Sequence, residues 1–118
     1  MNSMNLTRLA YFAAIAWTII MFIGCSWPTE KLPDEVVTIG DKWMHIAIFA
    51  PFAVLWRFAG KSWQWTLIAG LLYGLLIEVW QGITPFNRSF DLVDAVADGL
   101  GALVGLGLAW IAGRFIKL

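Results

Sequence analysis

The residues able to do chemistry fall into three short runs. Asp41, Lys42 and the single histidine, His45, form the first; Glu78 and Gln81 the second; Arg88, Asp91, Asp94 and Asp98 the third. An imidazole can act as a general base at neutral pH. A carboxyl such as Glu78, partly desolvated, suits the matching acid. The planar fork of Arg88 suits a phosphate. Four acids in one region repel: a pair ~4 Å apart at an effective dielectric constant near 20 costs on the order of 4 kcal/mol. Protonation, pairing with Arg88, Lys42 and His45, or a divalent cation would relieve it. Glu78, Asp94 and Asp98 are the candidate metal ligands; an oxygen-only set suits Mg²⁺, Ca²⁺ or Mn²⁺, and adding His45 admits Zn²⁺.

Several of these residues also have plain structural readings. Asp91 or Ser89 can cap the helix that follows, and Asp94 one turn in favours its positive end. Asp41 can cap the second helix, Lys42 can snorkel to headgroups, and His45 can serve packing alone. Glu78 and Asp98 resist such readings, because an ionisable group within an apolar span is rare and by default functional.

The elements that must position these residues are membrane helices. The chain of 118 residues is 60% hydrophobic and only 14% charged, too little polar surface to cover a soluble domain of this size. It reads as one all-α domain over residues 1–118, a bundle of four transmembrane helices at about 9–27, 43–58, 63–83 and 92–115. The second is short for a span of roughly 17–25 residues and carries Pro51, which removes a backbone hydrogen bond. Basic residues divide in favour of one side: Arg8, Arg57, Lys61, Arg114 and Lys117 against Lys31, Lys42 and Arg88. The positive-inside rule then puts both termini in the cytoplasm. Trp27, Trp43, Trp56, Trp63 and Trp80 fall near span boundaries, as an interfacial belt would.

With that topology all three chemical runs reach the outer face, where they are expected to line an outward-facing polar pocket. Helical phase puts Gly70, Gly74, Glu78 and Gln81 on one face of the third helix, and Asp91, Asp94, Asp98, Gly101 and Gly105 on one face of the fourth. Both are stripes of small residues that let helices approach, so the third and fourth helices are expected to pack along them and splay around the acids. The zero net charge leaves no basic field for nucleic acid. A lone cysteine excludes an intrachain disulfide. Arg8, the first apolar run and the sequence around Cys25 also resemble a lipoprotein signal, to which Phe22 fits poorly.

Asp41-Lys42-x-x-His45, then Glu78-x-x-Gln81, then Arg88-Ser89 with Asp91 and Asp94, followed by Gly101 and Gly105, resembles the VanZ-like family over roughly Asp41 to Gly105. The family's members are small multi-pass proteins of the bacterial inner membrane, named for a protein giving low-level resistance to the glycopeptide teicoplanin. The resemblance implies that location and a cell-envelope context. Asp98 departs from the family's usual asparagine and adds a negative charge. Three classes of function follow: an enzyme acting on a lipid or lipid-linked envelope intermediate, a binding or envelope-remodelling protein without turnover, and a transporter. Small four-helix drug exporters use an acid in their first helix, and this first helix has none. The bilayer itself and a phospho-lipid or lipid-linked substrate are the expected partners.

Overall fold

A computed structural model describes residues 3–26, 34–83 and 92–115, and the elements among them are four helices: α1 (Ser3–Cys25), α2 (Asp34–Phe58), α3 (Trp63–Ile83) and α4 (Leu92–Ala112). Three of the four, Asn5–Cys25, Trp63–Ile83 and Leu92–Ala112, are long and apolar enough to cross a membrane. Their outer faces agree: Phe12, Ile23, Leu72, Leu76, Val96, Leu103 and Trp110 are all more than half exposed. Water would not tolerate so large a continuous apolar surface on a monomer.

α2 is the exception, and it begins at Asp34, nine residues before the expected start at Trp43. An apolar window ends where polar residues begin, whereas intrahelical hydrogen bonds run on through them. Asp41 therefore lies two turns inside the helix and does not cap it. α1 likewise starts at Ser3 rather than Leu9. Pro51 sits within α2 and has no amide to give the carbonyl four residues back.

The turn between α2 and α3 shows why these helices end where they do. The Gly60 amide donates to the Arg57 carbonyl at 3.1 Å and the Lys61 amide to that of Trp56 at 3.1 Å. With Gly60 at φ 101°, this is the glycine-terminated close of a helix in which the last carbonyls find donors. Ser62 then caps α3, its hydroxyl accepting from the Trp65 amide at 3.0 Å.

α2 packs against all three other helices, most extensively against α4, while α3 rests chiefly on α4. The glycines set both approaches, though not as one shared seam. A Cβ on Gly70 would sit 3.3 Å from the Ala102 Cβ, and one on Gly74 would sit 2.8 Å from the Asp98 Cβ, so the α3 stripe does face α4. The α4 stripe faces α2 instead. A Cβ on Gly101 would lie 2.7 Å from the Ile46 carbonyl oxygen, and one on Gly105 would lie 2.7 Å from the Ala53 Cβ. The stripe expected to meet α3 thus receives α2, because Ile46, Phe49, Ala50 and Ala53 present backbone and small groups that only a glycine face can approach so closely.

α1 is held by polar clasps. Tyr73 donates to the Thr18 carbonyl at 2.6 Å, Trp17 to that of Ile48 at 2.8 Å, Trp56 to the Thr18 hydroxyl at 3.1 Å and Trp80 to the Ser26 hydroxyl at 2.8 Å. Trp56 and Trp80 therefore bind helix to helix near the expected span boundaries, and Trp27 lies outside the described residues. Trp43 and Trp63 stay exposed and keep the interfacial reading. Beneath these clasps, Met21, Cys25, Phe49, Phe52 and Ile77 form the apolar core.

Candidate functional site

One end of the bundle gathers the amino-terminal half of α2, the carboxyl end of α3 and the first two turns of α4. His45 is fully buried there. Its Nδ1 shares a hydrogen bond with Asp98 Oδ1. Its Nε2 lies 3.9 Å from Glu78 Oε1 and 3.9 Å from Asp94 Oδ2. Lys42, one turn before His45, donates to Asp94 Oδ1 at 3.2 Å. Spacing in the sequence produces this convergence: 42 and 45 share a face of α2, 94 and 98 a face of α4, and 78 and 81 a face of α3. Three helices thus deliver one imidazole, one ammonium and three carboxylates to one place.

The cluster is enclosed. His45, Glu78 and Asp98 have 0% exposure and Asp94 3%. Lys42 is partly exposed and marks the open side. Among the described residues, the polar side chains converge on one another and do not line an open cleft. A cavity of about 120 Å³ lies beside them between α1 and α2, and it is apolar. Gln81 belongs to the wall rather than to the charge cluster: buried one turn past Glu78, it donates to the Cys25 carbonyl at 2.7 Å and ties α3 to the end of α1.

Asp98 fixes one imidazole nitrogen and so orients the other toward Glu78 and Asp94. A carboxylate holding the far side of a histidine sets its tautomer and ring direction, in bases and in metal ligands alike. The same residues fit a cation. One ligand atom each from His45, Glu78 and Asp98 fall within 4.8 Å of one another. The set has His45 in place of Asp94 among the expected Glu78, Asp94 and Asp98. Mixed nitrogen and oxygen donors suit Zn²⁺ or Mn²⁺ better than Ca²⁺.

Arg88 and Asp91 lie outside the described residues, as does the side chain of Asp41. Gly74, expected to let helices approach, also borders the site. Its missing side chain is the space into which Asp98 fits. The pattern Gly74-x-x-x-Glu78 carried that signal, since a residue one turn from a buried acid borders whatever the acid faces. Trp17 lies in mid-span, where an indole N–H needs an acceptor, and it finds the Ile48 carbonyl.

Together these features define the class: a small helical membrane protein whose buried charged residues gather at one end of the bundle. The chain belongs to the VanZ/LLP1 family, whose family model matches residues 2–113. No curated protein and no solved structure matches it.

Proposed function

We propose that this VanZ-like protein resides in the bacterial inner membrane with all four helices inserted and both termini cytoplasmic. There it acts on or binds a lipid or lipid-linked envelope intermediate at the outward-facing polar end of the bundle. The observation that carries this reading is the His45–Asp98 pair flanked by Glu78, Asp94 and Lys42. Lys42 at the open side suits the anionic phosphate of a headgroup. His45, oriented by Asp98, suits proton transfer at that phosphate or at a neighbouring hydroxyl. Arg88 and Asp91 are placed by their sequence position at the same end, and Arg88 would add a second cation for the phosphate. The relation of the family to teicoplanin resistance fits an envelope intermediate as the ligand.

A divalent cation on His45, Glu78 and Asp98, with Asp94 beside them, would polarise a phosphoryl oxygen. A role without turnover draws on one observation, the complete burial of His45, Glu78 and Asp98. Mass spectrometry of the lipid extract that co-purifies with the protein tests the common core of both roles. A specific phospho-lipid, enriched over bulk membrane lipid and lost in Lys42→Ala, is the expected result. Bulk lipid alone, unchanged by that substitution, would remove the proposal. His45→Gln then separates the roles: under turnover it retains the lipid and builds up unreacted substrate.

A further inference from the structure

The cavity between α1 and α2 is lined by Trp17, Ile20, Met21, Gly24, Cys25, Met44 and Ile48. The Trp17 indole N–H is spent on the Ile48 carbonyl, and the Cys25 thiol is only a weak donor. At about 120 Å³ the space approaches the roughly 150 Å³ that accepts a benzene ring in an apolar core. From the geometry we infer that this groove seats an acyl chain of the lipid whose headgroup meets the charged cluster. The inference rests on the lipid reading above and names the part of the molecule that the polar end leaves unassigned.

Three features select an acyl chain as the occupant. The mouth of the groove opens on α1 at Ile20, with Ile19 and Ile23 beside it, all more than half exposed; on a membrane span such a face meets lipid tails and nothing else. The groove also ends where the cluster begins. Met44 directly precedes His45, and Cys25 beside Gly24 receives the Gln81 amide through its carbonyl. One molecule can therefore put its polar end at Lys42 and its first methylenes along Gly24, Met21 and Ile20, down to the floor set by Trp17. That stretch of α1 is roughly 10 Å of helix axis. Finally, a Cβ built on Gly24 meets no atom within 4 Å, so glycine keeps the space open where the helix itself would accept a larger residue.

The same openness supplies the test. Gly24→Leu adds bulk at the groove from a position whose Cβ meets nothing, and Gly107→Leu is its control, since a Cβ on Gly107 also has nothing within 4 Å and that residue is exposed on α4. Wild type and both variants are reconstituted in nanodiscs with a phosphatidic acid carrying a photoreactive diazirine in mid-chain. A second set receives the diacylglycerol with the same chain. Cross-linked peptides are mapped by mass spectrometry. The expected result is labelling of the α1–α2 groove at least fivefold above that of the α4 outer face, cut at least fivefold by Gly24→Leu and unchanged by Gly107→Leu. Even labelling of both faces, or groove labelling indifferent to Gly24→Leu, would overturn the inference. Headgroup dependence is read separately. Stronger groove labelling by the phosphatidic acid, falling in Lys42→Ala, supports groove and polar end together. Equal groove labelling by both lipids keeps the acyl groove and removes the headgroup reading.

Discussion

Gly105→Ala is the smallest change that should loosen both the fold and the site. The added Cβ would lie 2.7 Å from the Ala53 Cβ and closer still to the Ala50 carbonyl oxygen. Carbon atoms rest at about 3.5–4.0 Å, so α2 and α4 would have to part by roughly 1 Å. Neither obstacle is a flexible side chain: one is backbone, the other a methyl fixed to it. Overpacking of this kind costs about 1–3 kcal/mol, while alanine in a helix returns up to ~1 kcal/mol over glycine. Gly107→Ala collects the same return with nothing within 4 Å to resist it. The propensity gain therefore cancels between the two variants, and Gly105→Ala should be the less stable by about 1–3 kcal/mol. Unfolding by SDS in mixed micelles measures that difference. Separation of α2 from α4 would also stretch Lys42–Asp94, now 3.2 Å, and draw His45 from Asp98, so the specific lipid should be retained less well. Equal stability of Gly105→Ala and Gly107→Ala would refute the assignment of this stripe to the α2 interface.

The cation reading predicts that purified wild type carries Zn²⁺ or Mn²⁺ by elemental analysis and is stabilised by about 2.7 kcal/mol at a hundredfold excess over Kd. Asp98→Asn should lose that response; no metal and no cation-dependent thermal shift in wild type would discard the cation. The topology predicts that a cysteine at Asp34 reacts with an impermeant thiol reagent on intact spheroplasts and one at Lys61 does not, in a Cys25→Ala background. The reverse pattern would turn the cluster to the cytoplasm and sink the envelope reading.

The end of α2 at Phe58 and the limits of α3 at Trp63 and Ile83 were legible because the apolar runs stop there, whereas the closing turn at Gly60 and the Ser62 cap emerge only from the structure. The convergence of His45, Glu78, Asp94 and Asp98 was legible too: acids and a base at matching depth in apolar helices have few other places to go. The partner of each glycine face was not. Helical phase says which residues share a face but not which neighbour covers it, and Gly101 and Gly105 turned out to receive α2. The start of α2 escaped for a related reason, since residues 34–42 mix Asp34, Glu35, Asp41 and Lys42 with Val36, Val37 and Ile39 and so form no apolar run. Enclosure of the cluster was equally invisible, because burial depends on how three helices close over His45.

The least apolar helix, α2, is also the most extensively packed, and this explains why the charges sit where they do. Lys42 and His45 are on α2; their partners Asp94 and Asp98 are on α4, and Glu78 is on α3. Glycine contacts fix how near α2 comes to α4, but a smooth glycine face fixes register poorly. The charges supply what it lacks. Sliding α2 by one turn, roughly 5.4 Å, would put Phe49 in place of His45 against Asp98 and leave Lys42 away from Asp94. Removing one member of such a buried pair costs about 3–5 kcal/mol, whereas exchanging both for well-packed apolar residues is often neutral. An apolar pair at 45 and 98 would thus serve a bundle that needed only to be stable. The acid–base pair makes sense if the site must also meet a charged headgroup, which is what the proposed function asks of the end of the bundle where Lys42 is partly exposed.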